Sequence, residues 1–209
     1  MNIIIYFNNL ELKRIKIDEP KSNYDDNYQI PLTYQISNNL FLENIMIDTC
    51  FLYVPNALKK YKNINDLNTN LIYSNKYFLD LVFDNIEDIK ENYLFYKKIN
   101  EIDNFFESKK EYIRKLLKLD CNLTYVRQIK KNKYNHYLPS FKAKIQKNQY
   151  NLFDVDILDK DNNKINEKLE DYVLENCYIK LVIYFDTIWI VKDKMGISWK
   201  IKKITKQNR

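Results

Sequence analysis

The 209-residue chain contains a single glycine, Gly196, and this scarcity limits the folds and binding motifs that the chain can form. Phosphate-binding loops and dinucleotide-binding fingerprints need several glycines, because backbone amides must approach the phosphate closely. The glycine lies between the only two tryptophans, Trp189 and Trp199. Two β-prone runs flank the polar stretch that precedes it. This pattern predicts a β-hairpin in which Gly196 takes a positive φ.

Beyond the glycine, apolar and polar residues alternate with the period of a β-strand. The apolar side is formed by Ile197, Trp199 and Ile201, and the polar side by Ser198, Lys200 and Lys202. We therefore expect a strand with one side in the core and one cationic side suited to phosphate.

Residue types needed for catalysis and metal binding are scarce. The single histidine, His136, has no nucleophile motif near it. No pair of cysteines has zinc-site spacing, and the acidic residues at 154, 156, 159 and 161 lack a loop glycine and a closing glutamate. The sequence therefore predicts a protein that is not an enzyme and has no metal and no cofactor.

Cysteine usage and hydropathy indicate a compartment. Cys50, Cys121 and Cys177 are far apart and odd in number, as expected in a reducing environment. No apolar run reaches the roughly 18–20 residues that a membrane span requires, and the N-terminus lacks the pattern of a signal peptide. We expect a cytoplasmic or nuclear protein without a membrane partner.

The periodicity of the chain predicts an α+β fold in one domain, residues 1–209. Asp84–Leu119 has apolar residues at spacings of three and four and contains neither proline nor glycine, so a long helix is predicted there, broken near Glu101–Asn104. Its aromatic stripe is expected to contact the core. The other apolar runs predict strands, and the apolar run Leu181–Ile190 predicts a central one. We expect an OB-like antiparallel β-barrel with one long helical insertion at about 84–119.

The net charge of +6 is concentrated in the second half of the chain. Glu107–Tyr150 holds 12 Lys and Arg against 3 Asp and Glu, a net of +9. Such a concentration commonly marks a polyanionic partner. Lys, Asn, Ile and Tyr all have AT-rich codons, so an AT-rich genome would enrich them without any function. The prediction therefore depends on where these residues lie and not on how many there are.

Candidate nucleic-acid-binding residues lie in a basic loop and on the strand after it. Ser140–Lys147 alternates strictly, with Phe141, Ala143 and Ile145 predicted to point inward. Cationic side chains would contact phosphates, while aromatic rings, Tyr125 among those considered, would stack on bases. The predicted site consists of Arg127, Lys130, Lys131, Lys133, Tyr134, Tyr137, Lys142, Lys144, Trp199, Lys200 and Lys202. Trp189 and Trp199 are each open to a second interpretation, as core residues.

The stretch from Tyr178 to Ile190 and on through Gly196–Ile201 resembles the C-terminal hairpin of a viral family. These are the single-stranded-DNA-binding proteins of large nucleocytoplasmic DNA viruses or virus-like linear plasmids, which are similar to the single-stranded-DNA-binding protein of phage T7. In that group a tryptophan-bearing strand, a turn with glycine and a basic aromatic strand close an OB barrel. The order of elements upstream is also similar, including the strand Tyr77–Phe83 and the helical stretch that follows it.

The resemblance implies sequence-tolerant binding of single-stranded DNA during replication or repair, in a viral factory or another cytoplasmic replication site, with replication proteins as further partners. Two alternatives remain open. An RNA-binding or transcription factor on the same barrel would carry similar charges. A non-catalytic subunit of a viral replication or capping complex would instead dock through the long helix Asp84–Leu119.

Overall fold

The computed structural model describes residues 3–23, 27–56, 59–61, 76–84, 86, 88–130, 138–150, 152–173 and 175–206. Its strands are β1 (Ile4–Tyr6), β2 (Ile15–Ile17), β3 (Lys21–Asn23), β4 (Asn27–Ser37), β5 (Leu40–Leu42), β6 (Ile45–Val54), β7 (Lys59–Tyr61), β8 (Lys76–Val82), β9 (Thr124–Tyr125), β10 (Ser140–Ile145), β11 (Asp156–Leu158), β12 (Cys177–Phe185), β13 (Thr187–Val191), β14 (Lys194–Ile197) and β15 (Lys200–Lys206). Its α-helices are α1 (Lys90–Ser108), α2 (Lys110–Leu116) and α3 (Leu169–Tyr172), and 3-10 turns cover Phe7–Asn9 and Leu12–Arg14.

Five of these strands close into a barrel in the order β6-β12-β15-β10-β8, and one residue pair, Tyr53 and Val82, joins β8 back to β6. This confirms the predicted OB-like barrel. The barrel is antiparallel except at one place, where β10 and β15 run parallel through Lys144 and Lys200. A closed ring with an odd number of strands cannot alternate direction at every step, so one parallel pair is unavoidable.

A second sheet, ordered β2-β4-β13-β14-β9, extends from one side of the barrel. After β12 the chain leaves the barrel at Asp186, forms the hairpin β13–β14 in the second sheet, and returns to the barrel with β15. The expectation that the tryptophan-bearing hairpin itself closes the barrel is therefore wrong. β12 and β15 pair with each other in the barrel, and the hairpin between them belongs to the second sheet.

Gly196 lies within β14 and is not the turn residue. The hairpin turn consists of two residues, and its positive φ of 56° belongs to Lys192. Gly196 pairs directly with Trp189, and a Cβ atom at position 196 would lie 2.6 Å from Cζ2 of that indole. The predicted hairpin is confirmed. The predicted reason for the glycine is wrong, because the close approach of the indole to the strand requires it.

The predicted helix is present as α1 and α2, but it begins at Lys90 and ends at Leu116, inside the predicted range of 84–119. Its break lies at Lys109 and not near Glu101–Asn104. The apolar side of α1 packs into the core of the protein, and it consists of Phe95, Ile99, Ile102 and Phe106. The ring of Phe95 lies 5.2 Å from that of Phe7 and 6.1 Å from that of Phe141. The helix therefore contributes to the same core as the barrel strands.

The barrel strands alternate between core and surface as predicted. On β10, Phe141, Ala143 and Ile145 are buried while the lysines between them are half-buried on the outer surface. β12 lies between β6 and β15, which confirms the prediction of a central strand for its part of the run. The three cysteines form no disulfide; Cys50 and Cys177 are buried and Cys121 is exposed. Among the described residues no helix has both the length and the apolar character needed to cross a membrane.

Candidate nucleic-acid interface

A groove of about 300 Å³ lies where the barrel meets the second sheet. The parts of the chain that form it are distant in sequence: β8, β10, the segment after β9, and the end of the β13–β14 hairpin. Four cationic and three aromatic side chains contribute to its walls. Its full lining is Phe78, Val126, Arg127, Gln128, Lys130, Lys142, Lys144, Trp189, Ile197, Ser198 and Trp199.

The lysines of the groove are placed by the pairing of β10 with β8. Lys142 lies opposite Asp80, and Lys144 lies opposite Phe78. Because directly paired residues project to the same side of a sheet, Phe78 stands beside the Lys144 side chain on the outer surface. The ammonium group of Lys142 lies 3.6 Å from the Asp80 carboxylate, so a phosphate at this point would share or displace that partner.

Helix α1 positions the wall that carries Arg127. The Asp103 carboxylate accepts hydrogen bonds from the Tyr125 hydroxyl at 2.9 Å and from the Gln128 backbone amide at 3.0 Å. The Arg127 guanidinium donates to the Glu107 carboxylate at 2.6 Å. Its side chain nevertheless remains 45% exposed in the groove. The helical insertion thus holds one cation of the site in place.

Burial changes the titration of the pair that anchors this wall. Asp103 is fully buried, and burial raises the pKa of its carboxyl above the usual value. Burial, followed by the nearby Asp103 charge, also raises the pKa of Tyr125. Base stacking by Tyr125, which the sequence suggests, does not fit its environment. Its ring is buried and its hydroxyl donates a hydrogen bond to Asp103.

Lys130 is the last described residue of the basic loop. Its backbone forms two hydrogen bonds with Ser140 at the start of β10, and its side chain is exposed at the groove. The other four loop candidates lie outside the described residues: Lys131, Lys133, Tyr134 and Tyr137. So does His136. Of the described residues in this part of the chain, Lys130, Lys142 and Lys144 line the groove.

The two tryptophans differ in exposure. Trp199 is 1% exposed, and its ring packs edge-on against Phe185 at 4.8 Å. This burial argues against the predicted stacking role of Trp199, whose indole forms the floor of the groove from within the core. Trp189 is half-buried and lies over Gly196 on the groove wall. Of the two indoles, Trp189 is the one placed to meet a base.

The two remaining candidates, Lys200 and Lys202, do not line the groove. The Lys200 ammonium contacts both oxygens of Asp186, at 2.6 and 2.8 Å, and its side chain is only 14% exposed. Lys202 contacts Asp154 at 2.7 Å. Lys200 is nevertheless the strand neighbour of Lys144 on the barrel surface.

Two aromatic residues of the groove, Phe78 and Trp189, are absent from the predicted site, although the sequence left Trp189 open between base stacking and the core. For Phe78 the signal is the strand on which it lies, because that strand pairs with β10, which carries the alternating lysines. For Trp189 the signal is the lone glycine, because a two-residue turn at Lys192–Asp193 places position 196 opposite position 189.

No protein-family model matches the sequence, and no curated protein matches it. The fold is similar to a solved structure of the single-stranded DNA-binding protein from bacteriophage Enc34 in complex with single-stranded DNA. That likeness has a TM-score of 0.51 at 13% identity and covers 93% of this chain and 96% of the other. The crystal structure of a single-stranded DNA binding protein encoded by bacteriophage T7 has a TM-score of 0.44 at 11% identity, over 77% of this chain and 90% of the other.

At this identity the likeness to the Enc34 protein concerns the fold. The chain is an OB-like barrel protein, closed by five strands and enlarged by a second sheet and a helical insertion.

Proposed function

We propose that this protein binds single-stranded DNA without sequence preference and acts without catalysis in DNA replication or repair. The observation that carries the proposal is the groove, in which Arg127, Lys130, Lys142 and Lys144 share the lining with the half-buried rings of Phe78 and Trp189. Proteins that hold unpaired nucleic acid combine a cationic groove for the backbone with rings on which bases stack. The Enc34 protein, whose fold is similar, has been solved in complex with single-stranded DNA.

Each part of the groove has a role in this proposal. The lysines of β10 and Arg127 contact phosphates, and Lys130 extends the contact toward the basic loop. The half-buried rings of Trp189 and Phe78 stack on bases, which contributes about 1–3 kcal/mol per base and accepts any base because all have a π-face. We also propose a cytoplasmic site of action, since three cysteines that form no disulfide suit a reducing compartment.

The alternative of an interaction subunit docking through the long helix receives less support. The apolar side of α1 is already packed against the barrel core. Competition between DNA and RNA of equal length distinguishes an RNA ligand in the same groove from a DNA ligand.

The test is a titration of labelled oligo-dT at several salt concentrations between about 50 and 300 mM, with competing duplex DNA and RNA of equal length. Four phosphate contacts predict a slope of log K against log salt of about −3, at roughly 0.7 per contact for single strands. We expect single-stranded DNA to compete best. Binding that is insensitive to salt, or that favours duplex, would contradict the proposal.

A variant localises the binding. Lys142→Gln with Lys144→Gln removes two groove cations, so we expect roughly tenfold weaker binding and a slope smaller in magnitude by about 1.4. The matched control is Lys16→Gln with Lys115→Gln, which loses the same charge at exposed positions on β2 and α2. Equal binding by the two double variants would show that the groove is not the site.

A further inference from the structure

A second concave surface, of about 690 Å³, lies on the outer face of the barrel. We call it the β15 cleft, because the C-terminal half of β15 forms one wall of it. Strands β6, β12 and β15 supply its floor, and the turn after β11 supplies its rim. Its lining consists of Ile4, Asp48, Phe51, Leu158, Lys160, Asn162, Lys180, Leu181, Val182, Lys203, Thr205 and Lys206.

The charge of the β15 cleft is strongly positive. Its lining contains four lysines and one acidic residue, Asp48, which lies 2.8 Å from the Lys180 ammonium. Among the described residues, no carboxylate lies within salt-bridge distance of Lys160 or Lys203. Two ammonium groups of the cleft are therefore available to an anion without loss of an internal partner.

Lys203 of the cleft lies on the same face of the barrel as the lysines of the groove. Lys144 pairs with Lys200, and Lys200 in turn pairs with Tyr184. Beyond a bulge in the register, Lys203 pairs with Val182. Tyr184 and Val182 are two residues apart on β12 and project to the same side, so Lys200 and Lys203 do so as well.

The spacing along β15 suits a continuous ligand. Trp199 lines the groove, while Lys203 and Lys206 line the cleft. At about 3.3 Å per residue these positions lie roughly 13–23 Å beyond Trp199. That distance corresponds to about 4–7 nucleotides at the 3.4 Å spacing of a stacked strand.

The floor of the cleft is partly aromatic. Phe51 is half-buried and lies opposite Lys180, so a ring and an ammonium group project side by side. Met46, Val182 and Tyr184 form a small buried cluster that is separate from the main core, and Val182 belongs to the lining of the cleft. A cationic surface that carries an aromatic ring matches the needs of an unpaired strand.

We propose that the β15 cleft binds a further stretch of the same single strand that occupies the groove, so that one barrel contacts DNA over two adjoining surfaces. This inference rests on the proposed function. It adds a second part to the binding site and a path for the strand, from β10 along β15 toward the C-terminal half of β15.

The test compares oligo-dT of about 6 and about 20 nucleotides, lengths near or beyond the ends of the range bound by single OB folds. The variant Lys160→Gln with Lys203→Gln removes the two cleft ammonium groups that have no internal partner. We expect it to bind the short oligonucleotide like the unmodified protein and the long one roughly tenfold more weakly, with a salt slope smaller in magnitude by about 1.4. The control Lys16→Gln with Lys115→Gln is expected to bind both lengths normally.

The outcomes separate this inference from the proposed function. If the unmodified protein binds neither oligonucleotide, the proposed function fails. If it binds both and the cleft variant binds the long one normally, the groove alone holds the strand and the inference fails. A poly-glutamate peptide serves as a second probe: if the cleft variant loses this peptide and keeps full affinity for the long oligonucleotide, the cleft is a site for an acidic protein segment instead.

Discussion

At the scale of single residues, the contact between Gly196 and Trp189 connects the composition of the chain to its candidate site. The indole lies on the backbone of β14 because no Cβ intervenes, and this fixes the ring at the groove wall. A glycine inside a strand ordinarily weakens it, by roughly 0.5–1 kcal/mol relative to alanine. Its presence here is explained by the position that it gives to Trp189.

Gly196→Ala is therefore expected to destabilise the protein, although this substitution usually stabilises a strand. A Cβ atom 2.6 Å from the indole forces the ring or the strand to move, at a cost of about 1–3 kcal/mol. Urea unfolding measures the cost, and Trp189 fluorescence reports the displacement. The double variant with Trp189→Ala is the control, because without the indole the substitution at 196 has nothing to displace. A loss of the same size in both backgrounds would contradict this explanation.

Asp103 makes stability depend on pH with an unusual sign. Because burial raises the pKa of this carboxyl, the folded protein binds its proton more tightly than the unfolded chain. Between the ordinary value of about 3.9 and the raised value, this group's contribution to stability falls as pH rises. An asparagine at this position does not titrate. From pH 4 to pH 7, the unfolding free energy of the unmodified protein is therefore expected to fall relative to that of Asp103→Asn. Urea unfolding at several pH values measures it, and a constant difference would contradict the assignment.

Residue patterns predicted side-chain direction well and side-chain partners poorly. The alternation of β10 gave the correct outward placement of Lys142 and Lys144, since a period of two has one interpretation on a half-buried strand. The pairing of Lys200 with Asp186 could not be read in the same way. It depends on where the chain leaves the barrel, which no local periodicity encodes.

At the scale of elements, the helix α1 is a structural part of the domain. The ring of Phe95 contacts rings from an N-terminal turn, from the end of β8 and from β10. Its polar side holds the Tyr125–Gln128 wall of the groove through Asp103. The long apolar periodicity made the helix predictable. Its break at Lys109 was not, because no proline or glycine marks it.

Phe95→Ala is expected to lower the unfolding free energy by about 3–5 kcal/mol, because it leaves a cavity among several rings. Tyr112 on α2 is the matched control: its ring is 53% exposed, so Tyr112→Ala is expected to change stability by no more than about 0.5 kcal/mol. Thermal or urea unfolding measures both. Similar effects of the two substitutions would mean that the helix does not share the barrel core.

The arrangement of strands shows what lies beyond sequence patterns. Most strands were predictable as separate elements, and the buried run of β12 indicated its central place. The assignment of β12 to the barrel and of β13 to the second sheet was not predictable, because both strands are apolar and only Asp186 separates them. Sheet membership is decided by pairing with β4 and β6, which are distant in sequence.

At the scale of the whole molecule, the three cysteines differ in their exposure to solvent. Cys121 is exposed, whereas burial raises the pKa of Cys50 to about 12 and Cys177 is buried as well. The thiolate is the reactive form. At pH 8 the native protein is expected to react rapidly with a thiol reagent at Cys121 alone, and at the other two only after unfolding. Mass spectrometry of peptides from labelled protein measures this, and equal labelling rates for the three would contradict the described packing.

The wall of the barrel is not joined equally all the way round. β6 and β12 pair along most of their lengths, whereas β8 is joined to β6 at Tyr53 and Val82 alone, and β10 to β15 at Lys144 and Lys200 alone. β8 and β10 pair with each other over six residues, so they form one unit with a short seam on either side. We expect local opening of the barrel to separate this two-stranded unit from β6, β12 and β15, which would widen the barrel for a bulky ligand.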